Sequence, residues 1–101
     1  MTKYDKLVRD LIPDIIRRRG TEPRFRLASQ DEYIAKLREK LQEEVNEYLE
    51  SGSSEELADI QEVVHALGAL AGHGPEHLEN LRAAKAAERG GFTERIILEE
   101  A

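Results

Sequence analysis

Two pairs of acidic residues are the side chains of this sequence best suited to chemistry. Glu44 and Glu47 form one pair, and Glu56 and Asp59 form the other. Because an α-helix turns about 100° per residue, positions three apart share one flank of a helix. Four partly desolvated carboxylates facing one another would repel strongly, and a divalent cation among them would relieve that repulsion. Ligand sets made only of oxygen favour Mg²⁺ or Mn²⁺ over Zn²⁺.

Ordinary surface roles are open to the same residues. In a chain with 36% charged residues, acidic pairs at this spacing also arise by chance. Glu56 could complete a capping box with Ser53, and Glu44 could pair with Lys40 one turn away for a few tenths of a kcal/mol. On a helical wheel, however, Glu56 falls inside the apolar arc of its helix, which a surface role explains least well.

Capping signals and helical periodicity predict the elements that carry these carboxylates. Pro13 opens a short helix that Gly20 stops, and Ser29 followed by Glu32 opens a long one. A tight Ser/Gly turn then joins two antiparallel helices and brings the two acidic pairs within a turn or two of each other. We therefore predict an all-α antiparallel helical bundle with a minor β element, as a single domain over 1–101. The predicted helices are 13–19, 30–50, 54–71 and 75–89, with extended segments at 24–27 and 93–98.

The composition narrows the classes of function. The chain has 15 basic and 21 acidic residues, no Cys and 5% aromatic residues. The absence of Cys excludes disulfides, thiolate metal sites and Cys nucleophiles, and the acidic balance argues against a nucleic-acid partner. No apolar run reaches the roughly 18 residues of a membrane span, and the N-terminus lacks the apolar run of a signal peptide. We expect a cytoplasmic protein that pairs as a homodimer, because so short a chain buries little surface alone.

Three segments together resemble a known enzyme superfamily. Glu43–Glu47 followed by Glu56–Asp59 resembles the EExxE…ExxD signature of the all-α nucleoside triphosphate pyrophosphohydrolases. That superfamily includes the MazG proteins, the dimeric dUTPases and the phosphoribosyl-ATP pyrophosphohydrolases. The opening Tyr4–Pro13 and the end Lys85–Phe92 are similar to a small single-domain branch labelled MazG-like or phosphoribosyl-ATP pyrophosphohydrolase-like. Only eight residues separate the two halves of the acidic signature, fewer than in typical MazG domains.

The resemblance implies an enzyme that hydrolyses a nucleoside triphosphate between its α and β phosphates, giving a monophosphate and pyrophosphate. It also implies Mg²⁺, with Mn²⁺ as a substitute, held by carboxylates and activating water. Glu43 belongs to the signature but points away from the others on the helical wheel. The catalytic and metal-ligand residues carried over are Glu44, Glu47, Glu56 and Asp59. A triphosphate also requires positively charged partners. Lys85 and Arg89 are the first candidates for binding its phosphates, and Arg9, Lys6 and Arg95 are additional candidates.

Two other functions stay open on the sequence. One is the phosphoribosyl-ATP pyrophosphohydrolase reaction of histidine biosynthesis, since no motif here selects the base or sugar. The other is a catalytically silent helical dimer that binds a nucleotide or a protein partner. A divalent-cation site between the two central helices would disfavour the silent alternative.

Overall fold

Four α-helices make up the regular structure of the protein, a computed structural model in which residues 4–101 are described. They are α1 (Ile12–Arg18), α2 (Gln30–Ser51), α3 (Ser54–Leu70) and α4 (Pro75–Arg89). The predicted all-α class is confirmed, and each predicted helix is present. The chain divides into two compact units, one reaching Leu67 and the other comprising Gly68–Ala101. No helix over 4–101 combines the length and apolar character needed to cross a bilayer.

The predicted minor β element does not form within the described part of the chain. Neither 24–27 nor 93–98 is a strand. Arg26 donates two hydrogen bonds to the Glu32 carboxylate at the start of α2, and this ties the first segment to the helix end. Arg95 has a φ of +61°, which interrupts an extended backbone within the second segment. Short segments of this kind gain too little from pairing to offset such local preferences.

The turn between α2 and α3 is held by its own small residues. Gly52 adopts the left-handed conformation with a φ of +67°, and its N–H donates to the Tyr48 carbonyl at 2.7 Å. The Ser53 hydroxyl accepts a hydrogen bond from the Glu55 N–H at 3.2 Å and so caps α3. The Ser53 N–H itself donates to Ser51 Oγ at 3.1 Å. The turn therefore reverses the chain within a few residues and sets α2 beside α3.

The first unit has a small apolar interior and an N-terminal segment, residues 4–11, that packs against the helices that follow it. Leu37 of α2 is 3% exposed and Val63 of α3 is 8% exposed. Lys36 Nζ donates to the Asp5 carbonyl at 3.1 Å, and Lys6 pairs with Glu43 at 3.1 Å. These contacts hold the segment that precedes α1 against α2.

The second unit is built around a close approach at Gly68. A Cβ placed there would lie 2.6 Å from Leu78 Cδ1 and 2.8 Å from the His73 carbonyl oxygen, so only glycine fits without a shift. The His73 N–H donates to the Gly68 carbonyl at 2.8 Å. His73 and His77 stack with ring centroids 4.3 Å apart. These contacts join the end of α3 to the start of α4.

We predict that Gly52→Ala lowers the free energy of unfolding by about 1 kcal/mol, because a residue with a Cβ is strained at this φ. Urea denaturation measures the change. Gly91→Ala is the matched control, since Gly91 has no positive φ and open space around its Cα. It should alter stability by less than about 0.5 kcal/mol. Equal stability of the two variants would contradict a left-handed turn at Gly52.

Candidate metal centre

Three of the four carboxylates proposed from the sequence converge where α2 faces α3. Glu44, Glu56 and Asp59 each offer an oxygen that lies within 4.8 Å of the other two. In octahedral coordination at about 2.1 Å, neighbouring oxygens are about 3 Å apart and opposite ones about 4.2 Å apart. A small contraction of the three side chains would therefore bring all three oxygens onto one cation.

Glu44 is the buried member of this trio. It is 6% exposed, whereas the other charged residues between positions 4 and 101 reach solvent. Its Oε1 lies 3.3 Å from Lys40 Nζ, while its Oε2 is buried and has no hydrogen-bond partner. Burial raises the pKa of the Glu44 carboxyl above its ordinary value, Lys40 opposes that rise, and the charges of Glu47 and Asp59 add to it. The ionised form of Glu44 is therefore less favourable than that of a solvent-exposed glutamate.

The residues present fit a hard divalent cation. An unpartnered buried carboxylate oxygen requires a positive partner when ionised, and a cation among the trio would supply one. All the donors are carboxylate oxygens, which is the ligand chemistry of Mg²⁺ and Mn²⁺. The site thus offers oxygen ligands that suit such an ion and negative charge that the ion would neutralise.

Glu56 belongs to this cluster rather than to a capping box. In a capping box its side chain would accept a hydrogen bond from the Ser53 N–H. That N–H donates instead to Ser51 Oγ. The position of Glu56 inside the apolar arc thus matches its place beside Glu44 and Asp59.

The two remaining acidic residues of the signature have different surroundings. Glu47 lies outside the group of three, although its charge contributes to the raised pKa of Glu44. Glu43 is half-buried and pairs with Lys6 at 3.1 Å and with Lys40 at 3.5 Å. Burial raises the pKa of Glu43, but these two ammonium groups outweigh it and hold the pKa below its ordinary value. Glu43 is therefore an anion already matched by cations.

Cations of the N-terminal segment reach the acidic side chains directly. Arg9 Nη2 donates to Asp59 Oδ1 at 2.6 Å, across 50 positions of sequence. Together with Lys6 and Lys40, Arg9 sets three positive charges among the carboxylates. When all five carboxylates are ionised, the group carries a net charge of −2, which one divalent cation would neutralise. The carboxylates counted are Glu43, Glu44, Glu47, Glu56 and Asp59.

The other proposed phosphate-binding residues lie in the second unit. Lys85 and Arg89 are exposed on α4, and Arg95 is exposed in the turn that follows. Their role in binding phosphate stays a prediction.

A cleft of about 510 Å³ opens beside the trio within the first unit. Glu44 and Asp59 line it together with four other charged residues, Arg9, Asp10, Lys40 and Glu62. The rest of the wall is mostly apolar and comes from the N-terminal segment, α1, α2 and α3. The apolar lining residues are Leu7, Val8, Leu11, Ile12, Ile15, Tyr33, Leu37, Val63 and Ala66. The volume lies within the range of about 300–1,000 Å³ found for small-molecule sites.

The sequence indicated the carboxylates but missed their pairing with the N-terminal segment. The local partners available to Arg9 in the sequence are Asp5 and Asp10. The observed partner, Asp59, lies on a helix that no local signal connects to the N-terminus. Only the three-dimensional arrangement reveals this pairing.

A protein of Mycolicibacterium smegmatis is similar to this chain. The two are 38% identical over 72 residues, which is 71% of this chain and 74% of the relative. The relative is described as an uncharacterized protein. No family model matches the chain. No solved structure matches it either.

We predict that Glu44→Gln stabilises the metal-free protein at neutral pH by about 1 kcal/mol, because it removes a desolvated charge from a repelling cluster. A raised folded pKa means that the native state keeps a proton that the unfolded chain has lost. Wild-type stability should therefore fall as pH rises from the ordinary value of 4.5 through the raised folded value. Urea denaturation across this pH range measures both effects.

Glu62→Gln is the control, since Glu62 is an exposed carboxylate of α3 outside the trio. It should retain the pH dependence of the wild type. A Glu44→Gln protein that is less stable than wild type at neutral pH would contradict the unfavourable burial of the Glu44 charge.

Proposed function

The chain belongs to the same family as that mycobacterial protein, and we propose that it is a Mg²⁺-dependent nucleotide pyrophosphohydrolase of the MazG-like type. In this proposal it cleaves a nucleoside triphosphate between the α and β phosphates and releases a monophosphate and pyrophosphate. The observation that carries the proposal is the buried, unpartnered Oε2 of Glu44 beside Glu56 and Asp59. The EExxE…ExxD spacing of the same residues supports the assignment to this chemistry.

The trio would hold the cation, with Mn²⁺ able to replace Mg²⁺. When bound, the ion supplies charge neutralisation for phosphate oxygens and lowers the pKa of water. Glu47 lies outside the trio yet close enough to act on the charge of Glu44. We assign it to orienting the attacking water and accepting its proton, because a carboxylate next to the ligands that does not itself hold the ion is free to act as a general base.

In this proposal, positively charged side chains of the site bind the phosphates of the substrate. Carboxylates alone would repel a triphosphate, so the chain must present cations beside the metal centre. Lys40 and Arg9 line the cleft, and Lys6 pairs with Glu43, a residue that also pairs with Lys40. We assign these three residues to the phosphate chain of the substrate.

The apolar part of the cleft would receive the nucleoside. Its wall is continuous with the metal-centre residues, so a triphosphate bound there would extend toward the apolar lining. Tyr33 supplies an aromatic side chain within this wall. The apolar wall suits the face of a base, and the lining does not select one base or sugar.

The proposal includes the helical bundle type and homodimeric assembly of the superfamily, in a cytoplasmic protein. Several apolar side chains of the first unit's helices are exposed in the single chain, among them Leu49 and Leu57, at 74% and 48%. A second copy would cover such residues. Sedimentation equilibrium at micromolar concentration should give a dimer, and a monomer would contradict this part of the proposal.

We predict Mg²⁺-dependent release of pyrophosphate when the protein is incubated with a panel of nucleoside triphosphates that also includes phosphoribosyl-ATP. Glu56→Gln should lose activity by at least about 100-fold together with its metal affinity. Glu55→Gln removes the same charge from the neighbouring position of the same helix and should retain most of the activity, because Glu55 is exposed, lies outside the trio and does not line the cleft. Chromatography of the nucleotide products and a pyrophosphate assay measure the reaction.

Release of orthophosphate from intact triphosphates would contradict cleavage at the α–β bond. Absence of any Mg²⁺-dependent product would contradict the enzyme assignment and favour the silent binding alternative. Hydrolysis of phosphoribosyl-ATP alone would shift the assignment to the histidine-pathway reaction.

A further inference from the structure

Arg9 is hydrogen-bonded to Asp59, a carboxylate that would be a ligand of the metal ion. Its Nη2 lies 2.6 Å from Asp59 Oδ1, and Asp59 is one of the three converging carboxylates. Arg9 also lines the cleft beside the trio. The same guanidinium thus contacts a prospective metal ligand and faces the space where a substrate would bind.

A divalent cation and this guanidinium would compete for Asp59. Both are positive, and an ion coordinated by the carboxylate would stand within a few ångströms of the guanidinium. The ion and the guanidinium would therefore repel each other if both contacted Asp59. Binding of the ion weakens the hold of Asp59 on Arg9, and by linkage the Arg9 contact weakens binding of the ion.

The surroundings of Arg9 allow its side chain to leave Asp59 without moving the backbone. Its side chain is 55% exposed. The segment is fixed on one side by the Lys6–Glu43 pair and the Lys36 bond to the Asp5 carbonyl. On the other side, the Ile12 N–H donates to the Arg9 carbonyl at 3.1 Å as α1 begins. Because this exposed side chain already lines the cleft, the guanidinium has only to release Asp59 to bind a group held there.

We propose that Arg9 exchanges its partner, from Asp59 to a substrate phosphate, when a divalent cation binds the trio. We call this exchange the hand-over. In the metal-free protein Arg9 neutralises Asp59, and in the metal-loaded protein its planar guanidinium binds phosphate oxygens in the cleft. Arginine suits the second role because its fork of N–H donors matches phosphate geometry. The site thereby binds polyphosphate well only after the metal is in place. The phosphate step rests on the proposed function, whereas the competition for Asp59 does not.

The first test measures Mn²⁺ affinity by the loss of free Mn²⁺ signal in electron paramagnetic resonance. Arg9→Ala should bind Mn²⁺ about threefold to fivefold more tightly than wild type, because a competitor for Asp59 is gone. Lys6→Ala is the matched control, since it removes a positive charge from the same segment whose partner, Glu43, is outside the trio. Its affinity should rise less. Arg9→Gln, which keeps most of the side-chain length, replaces Arg9→Ala if that variant does not fold.

The second test measures binding of inorganic tripolyphosphate to the Mn²⁺-saturated protein by calorimetry. Arg9→Ala should bind it about tenfold more weakly than wild type. Arg17→Ala, which loses a cation paired with Asp14 on α1, should leave both affinities unchanged. The opposite signs of the two Arg9 effects are the signature of the hand-over, because a merely structural role would weaken both.

Either of two results overturns the hand-over. Arg9→Ala with Mn²⁺ affinity no higher than that of Lys6→Ala would remove the competition for Asp59. Tighter Mn²⁺ binding with unchanged tripolyphosphate affinity would leave Arg9 as a competitor that does not bind phosphate. Both readouts are independent of turnover, so a protein that shows the two opposite shifts yet hydrolyses no nucleotide would contradict the proposed function and retain the hand-over.

Discussion

The carboxylate of Glu44 is buried between two helices with one oxygen unmatched, and the rest of the site is arranged around that charge. Glu56 and Asp59 bring further negative charge to within 4.8 Å. Lys40 from the same helix and Arg9 from the N-terminal segment supply the nearest positive charge. The Arg9–Asp59 pair is partly exposed, so it contributes little to stability. A cluster that the chain itself leaves incompletely neutralised is a natural place for a divalent ion.

Because the apolar interior of the first unit is small, the buried charge of Glu44 has a large effect on the stability of the protein. Leu37 and Val63 are the buried hydrophobic residues of the described part of the chain, and each keeps a few per cent of its surface exposed. A protein with so little buried apolar surface has little stability to offset a desolvated carboxylate. Keeping Glu44 at such a position therefore favours function over stability.

Local signals were enough to predict the helices. Ser29, Gly52 and Pro75 mark helix ends through interactions confined to a few neighbouring residues, and those ends lie where expected. The extended segments failed because pairing depends on distant parts of the chain, while the positive φ of Arg95 acts locally. Periodicity placed Glu56 inside an apolar arc, which its position in the trio matches. The separation of Glu47 from the trio and the pairing of Arg9 with Asp59 depend on side-chain directions and long-range packing that spacing does not encode.

Anomalous diffraction from crystals grown with Mn²⁺ tests the metal centre most directly. We expect one anomalous peak between α2 and α3, in coordination contact with oxygens of Glu44, Glu56 and Asp59. In the same structure, Arg9 should no longer be hydrogen-bonded to Asp59. Crystals that diffract well at saturating Mn²⁺ but show no peak at the trio, or a peak held by other carboxylates, would contradict this metal centre.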